Sequence, residues 1–122
     1  MSGMPDPKPP ARVRDPELLK ELHRVWTQCE LCLSRGHAIG GLSLHHIHRH
    51  PRDDVCPNLI MFCGSGTTGC HGLIEAHDRE TCAKLAVHLI RVRLDTMEYL
   101  GEKLGGVVAV REWLVNQLYA PI

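Results

Sequence analysis

Seven residues in this chain have the types and spacing of metal ligands: Cys29 and Cys32, Cys63 and Cys70, and the histidines His45, His46 and His71. The run Cys29-Glu30-Leu31-Cys32 is a knuckle in which two thiolates, helped by backbone amides, can grip one ion. Cys63 and Cys70 form a second pair at a longer spacing, and Gly64, Gly66 and Gly69 make that detour easy to fold. Four thiolates suit one tetrahedral structural zinc, whereas the neighbouring imidazoles suit a second, chemically active metal. The combination points to metal-assisted hydrolysis more than to a plain zinc module.

The bulk of the chain agrees with a small metal-stapled domain. Its 122 residues are near the usual size of one domain. Hydrophobic residues make up 43% but aromatics only 4%, so the core is modest and gains from a structural metal. The formal net charge is zero, so a site for a polyanion must come from local clustering or from bound metal. Residues 1–14 carry no apolar signal core, and no stretch is long enough to span a bilayer. A soluble, reducing, cytoplasmic setting is therefore expected, in which paired cysteines hold metal rather than disulfides. A disulfide-rich secreted domain is the weaker alternative. Cys56 and Cys82 lack such partners, and Cys82 belongs to an apolar helical stripe.

The elements that must position these residues follow from caps and periodicity. Residues 1–14, with Pro5, Pro7, Pro9 and Pro10 among Lys8, Arg12 and Arg14, read as a flexible basic tail: a solvated leader or a phosphate-contacting arm. The domain proper is expected over 15–122. Asp15-Pro16-Glu17 opens a helix with Leu18, Leu19, Leu22, Val25 and Trp26 on one face, ending near Gln28. Strands are expected over 42–47 and 58–62, joined by a loop containing Pro51, Asp53, Asp54 and Pro57. A helix from about Thr68 carries His71 to His77, and Asp78 caps the next, with Cys82, Leu85, Ala86, Leu89 and Ile90 inward. Asp95 caps a helix to Leu104, halted by Gly105-Gly106, and a last helix spans 109–119, with Trp113, Leu114, Leu118 and Tyr119 as intrachain core.

Histidines are dense where the first strand ends: His45, His46, His48 and His50. Consecutive strand residues face opposite sides, so His45 and His46 can serve one site only if the strand ends or twists there. If it ran on, His46, His48 and His50 would share a face and the ligand set would change. Glu75 lies four residues after His71 on the same helical face, whereas His77 points largely elsewhere.

The ordered set Cys-x-x-Cys, His-His-Ile, Asn-Leu before Cys, and Cys-His opening a helix resembles the HNH endonuclease family, especially its small phage-type members with a four-cysteine zinc. The likeness covers about Cys29 to His77. It implies an α+β fold with a ββα-metal (His-Me finger) core at about 42–77, stapled by zinc and flanked by an N-terminal helix and C-terminal helices. It also implies roles: His45 and His71 hold a catalytic divalent ion, His46 is the general base, and Asn58 holds the connecting loop and orients the base. Cys29, Cys32, Cys63 and Cys70 hold the structural Zn²⁺. Two positions depart from the family pattern. Glu75 stands where many members have a second histidine, and is either a ligand or a salt-bridging surface residue. His45 stands where relatives often have aspartate, which widens the choice from Mg²⁺ or Mn²⁺ to Zn²⁺, Ni²⁺ or Co²⁺.

The implied function is metal-dependent hydrolysis of DNA phosphodiester bonds. Arg49 and Arg52 are the natural phosphate contacts, with Lys8, Arg12 and Arg14 as helpers. Phage members often act beside the packaging machinery, so a terminase is an expected partner and the host cytoplasm the expected place. The rival reading, from a different class, is a non-catalytic zinc-stapled module that binds DNA or protein.

Overall fold

The computed structural model describes residues 12–35 and 41–119, with the side chains of Leu118 and Tyr119 outside the description. Lys8 and the rest of residues 1–11 also lie outside the described residues. Among the described residues the chain forms five α-helices and one two-stranded antiparallel sheet: α1 (Pro16–Val25), β1 (Leu42–His46), β2 (Leu59–Cys63), α2 (Gly69–Glu75), α3 (Arg79–Val92), α4 (Leu94–Leu104) and α5 (Val107–Tyr119). No helix among them is long and apolar enough to cross a membrane.

Local chemistry accounts for most of these boundaries. The Asp15 side chain accepts from the Leu18 amide at 3.0 Å, and Asp78 caps α3 the same way through Thr81. α1 stops at Val25, earlier than the apolar stripe suggests, because Trp26 leaves in an extended conformation and its ring lies under the Arg93 guanidinium, 5.4 Å away. α4 starts one residue before Asp95, which sits in its first turn instead of capping it. α5 begins at Val107, two residues ahead of expectation, after Gly105 ends α4 in the left-handed region and Gly106 follows at φ +120°.

Strand β1 ends at His46, one residue short of expectation, because the backbone beyond it turns to Asn58. The Ile47 amide donates to the Asn58 carbonyl at 2.9 Å, and the His48 amide donates to Asn58 Oδ1 at 2.7 Å. Pairing sets Leu42 opposite Cys63, Ser43 opposite Phe62, His45 opposite Ile60 and His46 opposite Leu59. All five residues of β2 are buried, so the strand reads as a continuous apolar run covered on both faces. α2 packs on β2, and α3, α4 and α5 pack on one another around Leu85, Leu89, Leu100, Val110 and Leu114. Cys82 is buried in that core, and Trp113 packs against it.

Two polar networks lock this arrangement. Arg93 grips Glu30 with two hydrogen bonds of 2.7 Å, and His88 approaches the same carboxylate at 2.6 Å, tying the Cys29–Cys32 turn to α3 and α4. The second centres on the buried pair Asp53 and Asp54. Asp53 accepts from the Val13 amide (2.9 Å) and the Tyr99 hydroxyl (2.6 Å), with Lys103 at 3.2 Å. Asp54 accepts from the Asp15 amide (2.9 Å) and approaches His46 Nε2 at 2.8 Å. Residues 12–14, expected within a mobile tail, are therefore fastened to the domain: Val13 also accepts from the Asp54 amide, and Arg12 donates to the Arg52 carbonyl.

Burial works to raise the pKa of Asp54. Hydrogen bonds from Asp15 and His46 and the charge of Arg12 outweigh it and hold the carboxyl below its usual range. A depressed folded pKa means that the unfolded chain binds the proton first as pH falls. The stabilisation is thus complete above about pH 3.9 and lost as pH drops through the folded value. Asp54→Asn should cost about 1–3 kcal/mol at pH 7. The gap from wild type should narrow as urea unfolding is repeated from pH 5 towards pH 3; a gap independent of pH would contradict this.

Candidate metal centre

Two groups of convergent side chains lie beside the hairpin, joined where Cys70 adjoins His71. In the first, the Sγ atoms of Cys29, Cys32, Cys63 and Cys70 all lie within 4.8 Å of one another. Cys32 and Cys63 sulfurs are 3.6 Å apart, close to the edge of about 3.8 Å that a tetrahedral ion with Zn–S bonds of about 2.3 Å requires. The Cys32 amide donates to Cys29 Sγ at 3.4 Å and the Cys70 amide to Cys63 Sγ at 3.3 Å. Burial, followed by crowding among the sulfurs, pushes the Cys70 thiol well up, and Cys63 is raised as well. A divalent ion reverses that preference by stabilising the thiolates together, so the donor set fits a structural metal.

The turn between Cys63 and Cys70 depends on glycine. Gly64 has φ +84° and a Cβ there would come 2.1 Å from the Thr68 carbonyl oxygen. Gly69 has φ +63°, and its Cβ would meet the Cys63 carbonyl oxygen at 2.4 Å. These close approaches fold the strand end back onto the start of α2. Cys56 stands apart, exposed, and all six cysteines are free of disulfides.

The second group is His45, His71 and Glu75. His45 comes from β1, His71 and Glu75 from successive turns of α2. Glu75 Oε1 lies 3.4 Å from His45 Nδ1 and 3.4 Å from His71 Nε2, and the two imidazoles meet edge to face with centroids 5.2 Å apart. A tetrahedral ion with bonds of about 2.1 Å needs ligand edges of about 3.4 Å. Three ligands leave further coordination positions open, as a reactive rather than a closed structural site does. Burial, aided by the charge of Arg49, pushes the pKa of His45 down to about 3, and burial also lowers that of His71. Both rings are therefore neutral, with lone pairs to offer at ordinary pH.

Glu75 pairs with Arg49, as a salt-bridging residue would, and also lies within reach of both histidines. Burial acts to raise its pKa, but hydrogen bonding and charge from Arg49, together with His45 and His71, keep it ionised. Arg49 pairs with the same Oε1 that faces the histidines, so a divalent ion there and the guanidinium compete for one oxygen.

His46 does not join the ligand group, yet it lines the same cleft. Strand termination brings both His45 and His46 to a cavity of about 300 Å³, lined also by Arg49, Arg52, His71 and Glu75. Asp54, ionised and acceptor-only, accepts a hydrogen bond from His46 Nε2–H at 2.8 Å, which directs the other ring nitrogen, Nδ1, away from Asp54. Asn58, fully buried, holds the loop that frames this cleft: its Nδ2 donates to the carbonyls of His48 and Asp53, both at 3.0 Å. His48, His50 and His77 line a second cavity of about 320 Å³ on the far side of His45 and Glu75, walled by Trp113 and Gln117 of α5. Arg52 is exposed at the cleft, and Arg14 is exposed away from any described contact.

Sequence reasoning passed over Asp54 and Ser43. Asp54 read only as a loop former, and no spacing rule links it to His46. Ser43 Oγ lies 2.5 Å from His71 Nδ1 and donates to the Gly64 carbonyl at 2.7 Å. Its one signal was position, two residues before His45 and thus on the same strand face.

No protein-family profile, curated protein or solved structure matches this chain. Two outcomes test the two centres. Protein purified with zinc should carry one tightly held equivalent that Cys63→Ser loses, with the far-ultraviolet helical signal falling in parallel; metal analysis and circular dichroism read both. Glu75→Gln should keep that equivalent and bind a second divalent ion about 10-fold or more weakly in calorimetry.

Proposed function

We propose that this protein is a metal-dependent endonuclease of the HNH type, hydrolysing phosphodiester bonds of DNA with one catalytic divalent ion. In this reading β1, β2 and α2 are the ββα-metal core, and the four-cysteine site holds a structural zinc. The observation that carries it is the convergence of His45, His71 and Glu75 on one point, in a cleft that His46 also lines while Asp54 holds its Nε2. The Arg49 guanidinium already offsets the charge of Glu75, and a divalent ion would meet the lone pairs of all three side chains at one point.

An ion on His45 and His71, with Glu75, would draw charge from a non-bridging phosphate oxygen and from the departing 3′ oxygen. His46 Nδ1 accepts a proton from water, and the imidazolium formed is stabilised by the ionised Asp54 on its other nitrogen. The water oxygen forms a bond to phosphorus as the bond from phosphorus to the 3′ oxygen breaks, giving a 5′ phosphate and, after proton uptake, a 3′ hydroxyl. Arg52 and Arg49 at the cleft supply positive charge for the phosphate, the latter once Glu75 releases it. Asn58 acts through the loop it fastens, so it is a positioning residue. These contacts address the backbone and not base edges, which supports low sequence specificity. Action beside a terminase rests on the family resemblance alone.

Supercoiled plasmid incubated with Mg²⁺, Mn²⁺ or Ni²⁺ tests the reading. Wild type should nick with at least one of these ions, and His46→Ala should lower the rate by about 10²–10⁴-fold. Equal nicking by both proteins would remove His46 from the role of base. No nicking by wild type with any of them would favour the non-catalytic zinc-stapled module.

A further inference from the structure

We propose that Ser43 is a positioning residue that fixes the tautomer of His71, so that Nδ1 carries the proton and Nε2 is presented bare towards Glu75 and His45. The inference rests on the metal-centre reading of those three residues, and deepens it by naming what sets the ligand atom.

The reasoning is a proton count. A serine hydroxyl has one proton and two lone pairs, and a backbone carbonyl has lone pairs only. Ser43 Oγ lies 2.7 Å from the Gly64 carbonyl oxygen and 2.5 Å from His71 Nδ1. The contact to Gly64 is a hydrogen bond only if the hydroxyl proton points there. Nothing then remains to lie between Oγ and Nδ1 except a proton on the ring nitrogen. The opposite assignment would set oxygen lone pairs against each other at 2.7 Å in a half-buried strand position. His71 therefore donates through Nδ1, and when the ring is neutral Nε2 holds the lone pair, 3.4 Å from Glu75 Oε1. This is an approach of two acceptors that a divalent ion shared between them would make favourable and that an Nε2–H donating to Glu75 would otherwise satisfy. Outer partners commonly select the ligating nitrogen of a histidine in this way.

The acceptor that orients Ser43 is itself set by the cysteine framework. Gly64 follows Cys63, its amide donates to the Gly41 carbonyl at 2.8 Å, and only glycine fits its backbone. His71 follows Cys70. Ser43 thus bridges the two chain ends that leave the four-cysteine site, and it passes the geometry of that site to the second one through a hydrogen bond as well as through the backbone.

Long-range proton–nitrogen correlation spectra of the ¹⁵N-labelled full chain, supplied with one equivalent of zinc, read the tautomer directly. Wild-type His71 should show the Nδ1–H form; an Nε2–H form overturns the proposal without need of any variant. Ser43→Thr and Ser43→Val have the same branched shape and strand preference and differ in the hydroxyl. Thr should keep the wild-type tautomer and Ni²⁺ affinity by calorimetry. Val should shift His71 away from the Nδ1–H form and weaken Ni²⁺ binding by about 10–100-fold, with the zinc equivalent retained. Equal tautomer and affinity in Thr and Val overturns the role of Ser43. Wild type with the Nδ1–H form but no Ni²⁺ bound would leave the hydrogen-bond assignment standing and sink the metal-centre reading on which it rests.

Discussion

The structure depends on one covalent fact: Cys70 and His71 share a peptide bond. A sulfur held in the four-cysteine cluster fixes the first turn of α2, and with it the direction of the adjacent imidazole. The other end of the cluster has the same relation to the sheet, because Cys63 closes β2 in register with Leu42. A distortion at the cysteines would therefore reach His71 through α2 and His45 through the hairpin. With few aromatic side chains in the core, such a tie adds to what packing of Leu85, Leu89, Leu100, Val110 and Leu114 supplies.

The second organising interaction is the Asp53–Asp54 pair. Two buried carboxylates side by side are unfavourable unless each is fully satisfied, and here each is, by different parts of the chain. Asp53 holds the residues before α1 and the end of α4, while Asp54 holds the start of α1 and His46. The loop between the strands is thus fastened at several points, and Asn58, where it meets β2, adds three hydrogen bonds. Burial acts to raise the pKa of both carboxyls; the donors aimed at them outweigh it and hold both below the usual range.

Within the cleft Glu75 offsets Arg49, and Arg52 adds an exposed positive charge. The chain has no net charge, and Arg49 is matched by Glu75. A divalent ion would tip that balance, since it would take up the carboxylate and leave the guanidinium free to meet an anion.

Much of this was legible in the residues themselves. The cysteine pairs, the capped helices and the candidate ligands His45, His71 and Glu75 depend on spacing and on short-range preferences, which a sequence displays directly. The question of how neighbours His45 and His46 could serve one cleft was not answerable there, because it turned on where β1 ends. That was decided by Asn58, a residue distant in sequence that captures the backbone after His46. The partners Asp54 of His46, Ser43 of His71 and Arg93 of Glu30 were likewise invisible, being separated by 8, 28 and 63 positions. Residue types and local spacing determine which groups can bind metal or move a proton. Which nitrogen carries that proton, and which face it meets, depends on hydrogen bonds between segments, and only the folded chain brings those segments together.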